Sequence, residues 1–86
     1  EKVDVVKLLM SNHRVDINKP NKSGFTPFAS ACFEGKSKIV EILLNDDRID
    51  VNSSNKYGNT PFHDACILEK VDVVKLLMSN HRVDIN

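Results

Sequence analysis

Gly58-Asn59-Thr60-Pro61-Phe62-His63-Asp64-Ala65-Cys66 is the stretch whose reading decides the fold. It has a twin upstream in Gly24-Phe25-Thr26-Pro27-Phe28-Ala29-Ser30-Ala31-Cys32. Both predict a tight turn feeding a short helix. Glycine tolerates the positive φ that such a turn can require. Thr26 and Thr60 are suited to cap a helix by accepting a bond from an otherwise unpaired backbone N–H. Pro27 and Pro61 then fall at the first helical position, where a missing N–H costs nothing and a fixed φ helps.

Outward from this stretch the chain repeats. Gly24 to Gly58, Pro27 to Pro61 and Cys32 to Cys66 are each steps of 34. Residues 19–52 and 53–86 agree at 14 of 34 positions. A second periodicity lies above the first. Residues 1–18 and 69–86 are identical at all 18 positions, an offset of 68, whereas residues 35–52 match 1–18 at only 6 of 18. Divergence at one step and identity at two read as a two-repeat unit. The 86 residues divide into the second half of one repeat (1–18), one full repeat (19–52) and another (53–86), all in one domain.

Within each repeat the elements are short. Phe28, Ala31 and Cys32 fall at i, i+3 and i+4, which predicts a first helix from Pro27 to about Phe33. Gly35 is placed to end it in the left-handed conformation. Glu69 replaces that glycine in the next repeat, which predicts either strain or a different cap. Ser37 is the expected cap of a second helix over about 38–45, whose apolar stripe is Ile39, Ile42 and Leu43. Val73, Leu76 and Leu77 form the same stripe in the last repeat, and Val5, Leu8 and Leu9 in the first. The loops that follow are rich in Asn, Asp, Ser and Lys, residues that favour turns by bonding nearby backbone. A helix pair this small cannot bury its own stripe, so the architecture is an all-α solenoid in which each pair leans on its neighbour.

Two helical families have a period near 34. The aromatic and glycine landmarks of the tetratricopeptide first helix are absent. Gly58-x-Thr60-Pro61-Phe62-His63-x-Ala65 resembles the ankyrin-repeat pattern of a turn followed by Thr-Pro-Leu-His-x-Ala, with Phe62 in place of Leu. Gly24-x-Thr26-Pro27-Phe28-Ala29-x-Ala31 resembles it too, except that Ala29 stands where His is usual. Val73-Val74-x-Leu76-Leu77 and Asp84-Ile85-Asn86 are similar to the remainder of an ankyrin repeat. The usual period is about 33, and the additional residue falls near Arg48 and Arg82. The resemblance spans the whole chain. It implies stacked helix-turn-helix units joined by hairpin-like loops, and a structural rather than catalytic role for His63.

Composition narrows the function. Twelve Lys and Arg balance twelve Asp and Glu, so the chain lacks the basic footprint of a nucleic-acid binder and the polybasic segment that an anionic membrane attracts. Apolar runs such as Ile42-Leu43-Leu44 are far shorter than the roughly 20 residues that span a bilayer. The charged start Glu1-Lys2-Val3-Asp4 is unlike a signal peptide. Cys32 and Cys66 are expected to be buried, reduced and unbridged, which suits a cytoplasmic protein.

No catalytic, cofactor or metal constellation emerges. His13 and His81 are copies of one helix-end position and are expected to be solvated, since a metal needs three or four converging ligands. Asp46 and Asp47 do not share a helix face; Arg48 or water is their expected partner. Ser30, Cys32 and Cys66 have no adjacent base, and the glycines stand singly, without a phosphate loop.

What remains is surface. The resemblance implies partner binding on a concave side made of turn tips and first helices. By motif position its variable sites here are Lys22, Ser23, Phe25, Phe33, Glu34 and Asp46, then Lys56, Tyr57, Asn59, Ile67, Leu68 and Asn80. Apolar members such as Phe25, Phe33 and Tyr57 have the chemistry of interface anchors. The expected function is a protein-interaction module with an unidentified protein partner and no chemistry of its own. Two alternatives stay open: head-to-tail self-association, suggested by the identical end segments, and a scaffold within a larger enzyme or channel.

Overall fold

The computed structural model describes residues 3–12 and 14–85. Five helices follow one another: α1 (Val3–Ser11), α2 (Pro27–Glu34), α3 (Ser37–Leu44), α4 (Pro61–Ile67) and α5 (Val71–Met78). No strand occurs among the described residues. The expectation for His13 lies outside those residues, while His81 is exposed at a helix end, as expected.

The two quoted stretches form as their residues dictate. Thr26 and Thr60 take the N-cap positions of α2 and α4, and Pro27 and Pro61 open the helices. The Thr26 hydroxyl oxygen accepts from the Ala29 N–H at 3.1 Å. At Thr60 the arrangement is reciprocal: the hydroxyl accepts from the His63 N–H at 3.3 Å, and His63 Nδ1 accepts from the Thr60 N–H at 3.4 Å. His63 is therefore half of a capping box, the structural role expected of it. Ala29 cannot supply the second half, and it is buried instead.

Helices α2 and α4 end alike. The Lys36 N–H reaches the Ala31 carbonyl at 2.9 Å and the Gly35 N–H the Cys32 carbonyl at 3.2 Å, a Schellman motif with Gly35 left-handed at φ 73. In the next repeat Lys70 bonds Ala65 and Glu69 bonds Cys66 in the same pattern. Glu69 adopts φ 56 to do so. Of the two outcomes expected at Glu69, strain rather than a different cap is realised, because the Lys70–Ala65 bond is needed to turn the chain into α5.

The cap expected for the second helix is corrected. Ser37 does not cap α3; it is the first helical residue, and Lys36 occupies the cap without a side-chain bond. The Schellman turn already commits the Lys36 N–H backwards and starts the next helix one residue early.

The core runs through the stack. Phe28, Ala31, Cys32, Val40, Leu43, Ala65, Val73 and Leu77 are buried in one cluster. Helix α2 packs on α4, and α3 sits between α1 and α5. Leu43 and Leu77, which carry two of the predicted stripes, are almost fully buried. The stripe expected of the first copy, Val5, Leu8 and Leu9, is exposed. Val6 and Met10 pack on the core instead, because α1 meets α3 with that face. The cysteines differ. Both are free, but only Cys32 is buried; Cys66, expected to be buried, is exposed. Packing of α4 covers Cys32, and the described residues place no further helix pair over Cys66. Burial, with a smaller contribution from the negative Asp64, pushes the Cys32 thiol up to about 12, so it remains a protonated, inert hydrophobe.

Candidate protein interface

Each hairpin tip is built by one asparagine. Asn21 Oδ1 accepts from the N–H groups of Ser23 (2.9 Å) and Phe25 (3.0 Å), and the Gly24 N–H bonds the Asn21 carbonyl at 2.9 Å. Asn55 repeats this with Tyr57 (2.9 Å) and Asn59 (3.2 Å). Its amide also donates to the buried carboxylate of Asp64 at 2.9 Å, tying the tip to the first turn of α4, where a negative charge is favoured. Successive tips are joined directly, the Lys56 N–H bonding the Ser23 carbonyl at 3.1 Å. Gly24 permits this approach: its φ is +81, and a Cβ there would lie 2.9 Å from the Lys56 nitrogen.

The tips hold out Lys22, Lys56 and Tyr57, all exposed, with Ser23 and Asn59 half-buried. Lys56 Nζ lies 5.2 Å from the centre of the Tyr57 ring, a cation–π contact. Along the first helices Phe33, Glu34, Ile67 and Leu68 are exposed and Phe25 is half-buried. Phe25 and Phe33 meet edge to face with ring centres 5.3 Å apart, and with Glu34, Asn21 and Ser30 they line an open pocket.

Asp46 and Asn80 are otherwise engaged. Asp46 Oδ1 accepts from the Arg48 backbone N–H at 2.9 Å, and its other oxygen pairs with the Arg48 guanidinium at 2.7 Å. Asn80 Oδ1 accepts from the Arg82 N–H at 2.9 Å. Both shape the turn after a second helix rather than standing free. The guanidinium bond, then the backbone bond, hold the Asp46 carboxyl down at about 2.

Sequence reasoning missed what these arginines do. Arg48 Nη2 donates to the Met10 carbonyl at 2.6 Å, and Arg82 Nη2 to the Leu44 carbonyl at 2.6 Å. Each arginine crosses to the preceding repeat and satisfies the carbonyl-rich end of its second helix, where a cation is favoured. The asparagines that close each repeat work in the other direction. Asn18 donates to the Arg48 carbonyl at 2.7 Å and accepts from the Asp50 N–H at 2.8 Å. Asn52 does the same with Arg82 and Asp84, both at 2.8 Å. The signal was present: these asparagines and arginines recur at 34-residue steps in otherwise variable polar loops.

A sequence model of ankyrin repeats, three copies, matches residues 1–86. The chain belongs to the ankyrin-repeat family. No curated protein matches it significantly. Ankyrin repeats are in general non-catalytic modules of protein–protein interaction. Among the described residues of this ankyrin array, no three His, Cys, Asp or Glu side chains converge on a metal site, and no helix is long and apolar enough to cross a membrane.

Proposed function

We propose that this ankyrin array is a protein-interaction module without chemistry of its own, holding a partner protein on its hairpin tips and first helices. The observation that carries this reading is the exposure of Phe33, Tyr57, Ile67 and Leu68, large apolar side chains at the family's variable positions. None of the four is a member of the hydrophobic core, so their retention fits a surface used for contact. Lys22, Lys56 and Glu34 supply a charged rim around them. The neutral charge balance favours a protein partner over nucleic acid or membrane, and two unpaired thiols suit a cytoplasmic setting.

The test is alanine replacement of Tyr57, Ile67 and Leu68 together, with binding measured against proteins captured by the wild-type chain. Interface anchors typically contribute about 2 kcal/mol or more each, so a loss of at least about thirtyfold in affinity is expected at unchanged circular dichroism. Undiminished affinity in a folded triple variant would overturn the assignment.

A further inference from the structure

The charges of this chain cancel in sum but not in place. Residues 17–25 and 51–59, which build the two hairpin tips, carry Lys19, Lys22 and Lys56 and no Asp or Glu. Acidic side chains stand outside these segments, as at Glu34, Asp46, Asp47 and Asp50. All three tip lysines are exposed. Among the described residues the ion pairs join Lys36 to Glu34 and Arg48 to Asp46, and neither involves a tip lysine.

Two of these lysines are held side by side. Lys22 and Lys56 occupy the same point of successive tips. Asn21 fixes the first tip through the Ser23 and Phe25 N–H groups, and Asn55 fixes the second through those of Tyr57 and Asn59. The Lys56 N–H then bonds the carbonyl of Ser23, the residue after Lys22, at 3.1 Å. Like charges brought together in this way repel. A carboxylate placed between the two ammonium groups removes that repulsion and is attracted to both. Lys56 is also oriented in advance, its Nζ lying 5.2 Å from the centre of the Tyr57 ring, which lowers the ordering cost of binding.

We infer that the tip face binds an acidic segment of a partner protein, one in which carboxylate side chains alternate with apolar ones. This rests on the protein-interaction reading and names the chemistry of the partner. The carboxylates meet Lys22 and Lys56, with Lys19 in the loop that enters the first tip. The apolar side chains meet Tyr57, which is 67% exposed, and Phe33. Phe25 links Phe33 to the tip: its N–H bonds Asn21 and its ring meets that of Phe33. Exposed charge pairs set orientation and association rate, and the apolar contacts supply most of the affinity. A polyphosphate fits this face less well. Its charge is continuous, whereas the lysines form an island on a chain of zero net charge with Glu34, Asp47 and Asp50 also exposed.

The probe is a labelled peptide of about twelve alternating Glu and Leu residues, about 40 Å when extended and so longer than the 32 Å molecule. A second peptide has Lys in place of Glu. Fluorescence anisotropy with the 86-residue chain is expected to show that the Glu peptide binds, more weakly as salt is raised, and that the Lys peptide does not. Lys22→Glu combined with Lys56→Glu, at unchanged circular dichroism, is expected to weaken the Glu peptide at least about tenfold and to admit the Lys peptide. A Glu peptide that fails to bind at millimolar concentration overturns the inference. So does an oligothymidylate that binds as tightly as the Glu peptide and is lost in the same double variant, since the lysines would then serve a nucleic acid. Alanine at Tyr57, Ile67 and Leu68 separates this inference from the reading beneath it. If the double reversal leaves the Glu peptide unaffected while the alanine variant weakens it, the acidic partner is overturned and the apolar interface stands. If neither weakens it, both are overturned.

Discussion

Asp46 joins two repeats through an arginine. Its carboxylate fixes the Arg48 guanidinium, and that guanidinium reaches the last turn of α1. Because the carboxyl is held down at about 2 in the fold, against an ordinary value near 3.8, its contribution is complete above the ordinary value. It is lost as pH falls from about 4 through 2, when the unfolded chain takes up the proton first. Asp46→Asn keeps the turn-forming oxygen, as Asn80 does at the equivalent position, and removes only the charge. Thermal unfolding followed by circular dichroism is expected to show a lower midpoint for Asp46→Asn near neutral pH. Between pH about 4 and 2 its midpoint should fall less steeply than that of the wild type, and parallel acid profiles would count against the pairing.

At the scale of elements, the repeats are held by apolar packing and by polar staples at their polar edge. The apolar share was legible in Ile39, Leu43, Val73 and Leu77, whose helical spacing names the buried face. The staples left only their recurrence at 34-residue steps as a signal, because Asn52 in a polar loop has the same composition whether it faces water or a neighbour. In the fold it exchanges two bonds with the backbone of Arg82 and Asp84. Asn52→Ala is expected to lower stability by about 1–2 kcal/mol, near 1 kcal/mol per hydrogen bond. Urea unfolding measures it, and an unchanged midpoint would show the staple to be energetically idle.

Across the whole molecule, stability is a sum over neighbours. Helix α3 has α1, α2 and α5 around it, whereas α1 has α3 and leaves Val5, Leu8 and Leu9 exposed. Native-state hydrogen exchange is expected to be slowest in α3 and fastest in α1, with α5 much slower than α1 despite their shared sequence. Equal protection of α1 and α5 would contradict nearest-neighbour stacking, since the same residues would then be stable regardless of what lies beside them.

Local rules sufficed for much of this protein. Threonine before proline, glycine at a helix end and apolar residues at helical spacing act within a few residues of themselves, so the helices, the Thr26 and Thr60 caps and the ankyrin identity could be read from the chain alone. The ankyrin resemblance, not the spacing, named Phe33, Tyr57, Ile67 and Leu68 as surface candidates. Tertiary structure alone decided which face of a duplicated segment is buried. Residues 1–18 and 69–86 carry the same information, yet Leu77 is buried where Leu9 is exposed and Ile17 is buried where Ile85 is exposed, and Cys32 and Cys66 hold equivalent positions with opposite exposure. Burial here belongs to the neighbouring repeat, and no residue encodes its own neighbour.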